Sequence, residues 1–308
     1  MPDLPEFSFA CPRCCGSLES FGPDEMRCLA DGLHFQRRDG IWRFLLPERE
    51  PVFVRFKREY ESIRQAEGRG SRNPAYYRAL PYRDLSGRMA GDWKIRAAGF
   101  DALLDQVVLP AQVRLGRPLR LLDLGAGNGW LSNRLAGRGH AVVAVDVLDN
   151  DFDGLGCACY YESTFAMVQA EFDCLPFTDR SADLVIFNAS LHYAPDMAAS
   201  LAQARRVLDA GGFIVVMDTP VYHNGESGAA MVRERQARFV EQYGFPSDAL
   251  PSQNYLTYAG LDGLAANLGL RCRLLTPAYP LGWRLSPLTA RLLGRREPAN
   301  FHLIIFGD

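Results

Sequence analysis

Long apolar runs and a large net charge of either sign are both missing from this 308-residue sequence. No apolar stretch approaches the roughly 18 to 20 residues that cross a bilayer. The first thirty residues mix Pro, Asp, Cys and Arg instead of forming a charged-then-apolar leader. With 34 basic and 36 acidic side chains, no global field directs the chain to nucleic acid or to an anionic membrane. We therefore expect a cytoplasmic protein with no membrane span.

Two glycine-loop signatures are also absent from the stretch LLDLGAGNGW, residues 121–130. A dinucleotide fold needs a third Gly or Ala where this sequence has Trp130, and a phosphate-binding P-loop needs a Gly-Lys-Ser/Thr that does not follow. Glycine lacks the Cβ that would block a ligand, and it accepts positive φ. Gly125, Gly127 and Gly129 are therefore predicted to form a ligand cradle after the first strand.

Apolar strands alternate with helices over residues 119–308, which predicts an α/β domain with a mostly parallel sheet and helices on both faces. Two insertions interrupt the alternation, at about residues 220–258 and 277–298, and such insertions usually shape a binding pocket. Residues 1–46 are rich in Cys, Gly and turn residues and predict a small separate β module. Residues 47–118 are predicted to be a helical, Arg-rich connector.

The order of the motifs resembles that of class I S-adenosylmethionine-dependent methyltransferases of the type 11 group. The resemblance is carried by Asp123 in D-x-G-x-G-x-G, by Asp146 at the end of the next strand, and by AEFDCLPFTDRSADLVIFNASLHYAPD and RRVLDAGGFIVVMD. It covers residues 119–218. It implies a Rossmann-like, seven-stranded, mostly parallel sheet, S-adenosyl-L-methionine as cofactor, and methyltransferase activity.

The same resemblance implies roles for individual residues. Asp146 would accept both ribose hydroxyls, although an acid at a strand end can also cap a turn. Asp123 would orient the loop and meet the methionine ammonium, or serve only structure. Glu171 or Asp173 would bind the adenine amine, with Phe172 beside the base or in the core. The implied cofactor-binding set is Asp123, Gly125, Ala126, Gly127, Asn128, Gly129, Asp146, Val147, Glu171, Phe172, Asp173 and Asn188.

Cysteine is clustered near the N-terminus, with Cys11 and Cys14 as C-x2-C and Cys28 after thirteen intervening residues. Thiolates on two tight turns suit tetrahedral zinc, and the segment resembles zinc-ribbon modules joined to methyltransferases. Asp31 stands where that pattern has its fourth cysteine. We expect His34 to complete the metal site, with Asp31 as the alternative fourth ligand; a metal-free fold is the other interpretation.

The connector carries twelve basic against six acidic residues between Arg49 and Arg96. Such a segment is either a solvated helical link or a positive lid near an active site. The sequence leaves both alternatives open.

The acceptor of a methyl group is not encoded in a recognisable motif. Transfer from a sulfonium is an in-line displacement that depends on alignment and exclusion of water, so a base is optional. His192 or His223 could take a proton from a hydroxyl acceptor, and either could instead be a packing or turn residue. We favour a small-molecule or lipid-like acceptor. The first alternative is RNA methylation through the ribbon and connector, although NASL stands where base methylases have an NPPY-type motif. The second alternative is cofactor binding without turnover.

Overall fold

A computed structural model describes residues 7–280, 283 and 295–307 of the chain. The strands are β1 (Glu19–Ser20), β2 (Glu25–Arg27), β3 (His34–Arg38), β4 (Ile41–Arg43), β5 (Arg120–Leu124), β6 (Ala141–Asp146), β7 (Ala166–Gln169), β8 (Ala182–Asn188), β9 (Leu208–Met217), β10 (Val221–Tyr222), β11 (Leu256–Thr257), β12 (Arg271–Leu275) and β13 (Leu303–Gly307). The α-helices are α1 (Glu50–Ala66), α2 (Pro74–Ala79), α3 (Ala90–Leu103), α4 (Leu109–Leu115), α5 (Trp130–Ala136), α6 (Met197–Val207), α7 (Gly225–Tyr243) and α8 (Tyr258–Leu268). Within the described residues, none of these helices has the length and apolarity that a membrane crossing requires.

Seven strands form the central sheet, in the order β7-β6-β5-β8-β9-β13-β12. β5 pairs in parallel with β6 on one side and with β8 on the other, whereas β13 runs antiparallel to β9 and β12. The predicted seven-stranded, mostly parallel sheet is confirmed. Because strand order reverses direction between β5 and β8, the carboxyl ends of these two strands mark the crevice where such sheets bind ligands.

Both faces of the sheet are buried, which explains why its strands are continuous apolar runs. Every residue of β8 is buried. One core packs on each face: the first includes Leu122, Val185 and Phe187, and the second includes Leu121 and Ile186. The sheet is therefore rigid where the site is built.

The N-terminal strands, which the sequence predicts as a small β module, are joined to the central sheet at one edge. β4 pairs in parallel with β7, with Ile41 opposite Met167, so β1 to β4 extend the sheet to eleven strands. The unpaired edge of β7 would otherwise expose a row of amides and carbonyls. Aromatic rings reinforce the junction, because the ring centroid of Phe9 lies 5.7 Å from the ring centroids of both Trp42 and Phe177.

The basic connector packs against the carboxyl end of the sheet instead of standing in solvent. On α1, Lys57 Nζ lies 3.2 Å from Asp149 Oδ1, and Arg64 forms a buried ion pair with Asp153. Both acids follow β6, so α1 is held across the crevice. The insertion at 220–258 contributes α7, while the insertion predicted at 277–298 lies largely outside the described residues.

Candidate functional site

The loop between β5 and α5 has a left-handed backbone at each of its glycines. The φ angles are +76° at Gly125, +53° at Gly127 and +75° at Gly129, a region that side chains with a Cβ rarely adopt. Gly125 is also sterically required, since a Cβ there would lie 2.3 Å from the Cβ of Ser190. The loop therefore approaches the segment after β8 as closely as backbone allows, and Gly125 and Gly127 line the neighbouring cavities.

Asp146 ends β6 and holds the glycine loop from the side. Its Oδ2 accepts a hydrogen bond from the Gly127 N–H at 2.7 Å, and its Oδ1 accepts one from the Leu148 N–H at 2.8 Å. Burial raises the pKa of Asp146 to about 6, and the backbone donors oppose that rise. Each oxygen retains acceptor capacity, and Asp146 lines a cavity. Its turn role and a ligand role are therefore compatible.

Asp123 is buried beneath the loop. Its Oδ2 accepts a hydrogen bond from Ser132 Oγ at 2.7 Å, while its Oδ1 has no partner among the described residues. Burial raises the pKa of Asp123 to about 7. A buried oxygen without a donor is costly, so the site suits a cationic or hydrogen-donating group nearby, in line with the predicted methionine-ammonium role as well as with a structural one.

An apolar cavity of about 80 Å³ opens beside the loop. Phe53 and Phe56 of α1 form one wall and Phe172 forms another, while Val147 and Asp173 contribute to the rim beside Asp146. The Phe172 ring also packs edge-on against Phe187, with centroids 5.6 Å apart. Phe172 thus serves the core and the cavity together, and the space suits a flat apolar ring such as a base.

The carboxylate of Glu171 forms an ion pair that the sequence did not predict. Arg49, immediately before α1, forms a bidentate ion pair with it at 2.8 Å. Burial raises the pKa of Glu171, and the guanidinium opposes that shift. Of the two carboxylates proposed for an adenine amine, Asp173 is the one without such an ion pair among the described residues.

A polar cavity of about 280 Å³ adjoins the apolar one on the other side of the loop. Its lining includes Ala126, Asn128 and Asn188 from the predicted set, together with Asp218 after β9. Asn188 Oδ1 and Asp218 Oδ2 are buried without a hydrogen-bond partner in the described chain. Asp218 and Ala189 both have positive φ, at 51° and 55°, a strained conformation that clusters at functional sites. This edge of the sheet therefore presents acceptors to a ligand that donates.

A third cavity, of about 230 Å³, lies between α1 and α7 and shares the walls Tyr60, Arg64 and Tyr193 with the polar cavity. Arg235 and Arg238 of α7 line its far side. The three cavities thus form a chain of spaces that runs from the glycine loop to the underside of α7.

The two candidate bases have different surroundings. His192 lines the polar cavity, is buried, and has its Nδ1 3.2 Å from Thr219 Oγ1. Burial, reinforced by the cations Arg235 and Arg96, lowers the pKa of His192 to about 3. His223 is exposed, stacks on Tyr258 at 4.3 Å, and lines none of the three cavities. The structure thus brings His192, and not His223, to the crevice.

Several site residues were not identified from the sequence. Phe53, Phe56 and Tyr60 line the cavities from one face of α1. Their spacing of three and four residues is the signal that could have revealed them, because it places side chains on one side of a helix. The ion pair between Arg49 and Glu171 has no local signal, since 122 positions separate the partners.

The cysteine cluster gathers four side chains, with one change from the predicted set. Ligand atoms of Cys11, Cys14, Cys28 and Asp31 all lie within 4.8 Å of one another. His34, the predicted fourth ligand, is not part of this cluster: its ring is exposed, and its Nδ1 lies 3.4 Å from Glu25 Oε1 on β2. Asp31, the alternative fourth ligand, is part of it.

Distances in this cluster are close to those of a tetrahedral site. Cys11 Sγ is 3.2 Å from Asp31 Oδ2, Cys28 Sγ is 3.7 Å from the same oxygen, and Cys14 Sγ is 3.5 Å from Cys28 Sγ. Tetrahedral zinc with bonds of about 2.3 Å separates its sulfur ligands by about 3.8 Å. Backbone N–H groups of Gly16 and Asp31 point to Cys14 and Cys28, each at 3.4 Å, which favours thiolates.

Part of this chain is similar in sequence to known methyltransferases. Residues 122–216 match a family model described as a methyltransferase domain. A malonyl-[acyl-carrier protein] O-methyltransferase from Erwinia pyrifoliae is 31% identical over 106 residues, 33% of this chain and 38% of the relative. A dimethylglycine N-methyltransferase from Parasynechococcus marenigrum is 33% identical over 112 residues, 35% of this chain and 40% of the relative. This chain therefore spans about two fifths of the length of these relatives.

A solved S-adenosylmethionine-dependent methyltransferase from Mesorhizobium loti superposes with a TM-score of 0.45 and 18% identity, and the match covers 67% of this chain and 100% of that one.

Proposed function

We propose that this chain is an enzyme that transfers a methyl group from S-adenosyl-L-methionine to a small-molecule acceptor, and the match of residues 122–216 to a methyltransferase-domain family model supports this. The observation that carries the proposal is the glycine loop with Asp146 at its side, which opens on an apolar cavity and on a polar one. Those two environments match a nucleoside at one end and an amino acid at the other.

The residues fit that cofactor by chemistry. Asp146 retains acceptor capacity for the ribose hydroxyls, and Phe172 and Asp173 would hold the base. Asn188 Oδ1 is buried with no donor in the described chain, so it suits an ammonium or another donor at the amino-acid end. When bound, the cofactor supplies an activated methyl group on a sulfonium.

The protein's own contribution would be alignment and exclusion of water. Helix α1 covers the crevice with Phe56 and Tyr60, and its ion pairs to the loops after β6 and β7 hold it there. His192 lines the polar cavity with a neutral ring, because burial lowers its pKa. The same lowered pKa makes it a weak base, so its role would be to hydrogen-bond a hydroxyl acceptor and position it, and not to hold its proton.

A small acceptor is favoured over RNA by the shape of the site. The cavities are walled by aromatic rings of α1 and by Tyr193, and most cations of the connector that face the sheet are neutralised by acids. Relatives that act on malonyl-[acyl-carrier protein] and on dimethylglycine support an acceptor other than nucleic acid.

Calorimetry with S-adenosylmethionine and S-adenosylhomocysteine tests the cofactor, and release of S-adenosylhomocysteine with panels of small acids, amines, phenols and RNA tests turnover. We expect both compounds to bind and Asp146→Ala to abolish binding, while Asp39→Ala, an exposed acid outside the site, binds as the wild type does. Unchanged affinity in Asp146→Ala would overturn the assignment. Binding with no turnover on any panel would favour a sensor, and RNA turnover with steep salt dependence would favour an RNA enzyme.

We also propose that Cys11, Cys14, Cys28 and Asp31 hold a structural zinc ion. The support is the mutual spacing of the four ligand atoms and the two N–H groups directed at sulfur. Closed sets of four protein ligands serve stability and not catalysis. Elemental analysis of the full chain should find about one zinc per molecule, should find none in Cys28→Ser, and should find it retained in His34→Ala and Cys15→Ser. Zinc lost from His34→Ala, or absent from wild type after reconstitution, would refute this ligand set.

A further inference from the structure

Arg235, on the buried side of α7, has a guanidinium that the rest of the described chain leaves largely unpartnered. Its Nη2 donates to Asn254 Oδ1 at 2.7 Å, and its Nε is buried with no acceptor. No carboxylate lies within ion-pair distance of it among the described residues, in contrast to Arg64 and Arg69 in the same cavity. A desolvated cation with an open donor is costly unless a ligand completes it.

The unpaired cation faces the place where an acceptor would react. Arg235 lines the cavity between α1 and α7, which adjoins the polar cavity at Tyr60 and Tyr193. Asn254, which receives the Arg235 hydrogen bond, donates its own N–H to the carbonyl oxygen of His192 at 3.0 Å. Arg235 also contributes to the lowered pKa of His192, which places its charge close to that ring.

The remaining walls of this cavity include polar and charged side chains, among them Glu67 and Arg69, as well as apolar or aromatic ones. Phe56, Ile63, Phe239 and Leu250 contribute to the apolar part. Two arginines of α7 line this space without a carboxylate partner among the described residues: Arg235, which Asn254 holds in place, and Arg238, which is exposed. A guanidinium fixed in this way beside apolar side chains can recognise the carboxylate of an organic acid.

We propose that the methyl acceptor is an organic acid with an apolar body, and that Arg235 binds its carboxylate. This inference rests on the proposed function and names its substrate class. Arg96, the other cation near His192, lies 3.9 Å from Asp218 and is therefore partly neutralised. The carboxylate end of the acceptor thus points to α7, and its reacting atom points to the polar cavity.

Calorimetry on the full chain saturated with S-adenosylhomocysteine provides the test, with 3-phenylpropionate and the uncharged 3-phenylpropionamide as matched probes. The acid should bind at least about tenfold more tightly than the amide, because charge-assisted hydrogen bonds to the guanidinium exceed neutral ones by that margin. Arg235→Gln should remove the preference. Arg233→Gln, on the exposed side of α7, should keep it.

Thermal unfolding gives a second readout of the same contact. 3-Phenylpropionate should raise the melting temperature of wild type but not that of Arg235→Met, which lacks the guanidinium that would bind the carboxylate. Equal binding of acid and amide, no binding of either, or a preference that survives Arg235→Gln would overturn the inference. S-adenosylhomocysteine affinity measured on the same samples separates that result from a failure of the proposed cofactor site.

Discussion

Arg49 Nε lies 2.9 and 3.0 Å from the two carboxylate oxygens of Glu171, and Arg49 Nη2 lies 2.8 Å from Oε2. This bidentate pair joins the first residue before α1 to the turn after β7, across 122 positions of sequence. It ties the helix that covers the crevice to the edge of the apolar cavity. Cofactor binding and the seating of α1 are therefore expected to depend on one another.

Arg49→Gln should weaken S-adenosylhomocysteine binding by about tenfold and lower the free energy of unfolding by about 1–2 kcal/mol. The reason is that the substitution leaves the buried Glu171 carboxylate without its half-exposed ion-pair partner. Burial already raises the pKa of Glu171 and Arg49 opposes it, so the stability deficit should shrink as the pH falls and Glu171 becomes protonated. Calorimetry and urea unfolding measure both effects. Arg58→Gln, an exposed arginine on α1, is the control; equal behaviour of the two variants would contradict the role of the pair.

Gly125→Ala should abolish cofactor binding, whereas Gly139→Ala should not. Both positions have positive φ, at +76° and +85°, but a Cβ meets Ser190 at 2.3 Å in the first case and nothing within 4 Å in the second. Both variants should lose about 1 kcal/mol to backbone strain, and Gly125→Ala should lose a further 1–3 kcal/mol, roughly, to overpacking. Urea unfolding and calorimetry distinguish them, and equal stability losses would show that the close approach to Ser190 is not limiting.

Asp123→Asn should flatten the dependence of stability on pH. The folded-state pKa of Asp123 is raised to about 7, above about 3.9 for an unfolded Asp. Between those values the folded state holds a proton that the unfolded state has released, so this group's contribution to the free energy of unfolding falls as the pH rises. Between roughly pH 4.5 and 8, the free energy of unfolding of Asp123→Asn should therefore rise relative to that of wild type by more than about 1 kcal/mol.

Ser132→Ala serves as the control for that measurement, since it removes the hydrogen bond to Asp123 Oδ2 but keeps the titrating carboxyl. Its pH dependence should be at least as steep as that of wild type. A slope that Asp123→Asn leaves unaltered would show that Asp123 does not titrate in this range.

His192→Gln should lower kcat by about tenfold for a hydroxyl acceptor, through loss of one positioning hydrogen bond, while the affinity for S-adenosylhomocysteine is retained. The pKa of His192 is lowered to about 3 by burial and by Arg235 and Arg96, so its ring stays neutral and the rate should show no inflection from it between about pH 5 and 8. His223→Gln, which alters an exposed ring, should leave kcat unchanged. The opposite ranking of the two variants would assign the contact with the acceptor to His223.

Local pattern was enough to predict the sheet and the loop. Continuous apolar runs and the helices between them depend on side chains a few positions apart, and the glycine spacing indicates where the backbone leaves no room for a Cβ. For the same reason the acids that end or follow strands, such as Asp146 and Asp173, could be named from the sequence together with the family resemblance.

Pairings between distant segments required the fold. The junction of β4 with β7 depends on which strand edge is left open, and the choice of Asp31 over His34 depends on which way a turn of a few residues faces. Arg49 with Glu171, and Arg235 beside His192, bring together segments that are distant in the sequence. Sequence periodicity records which face of an element is buried, but not which other element covers it, because that depends on how all the elements pack together.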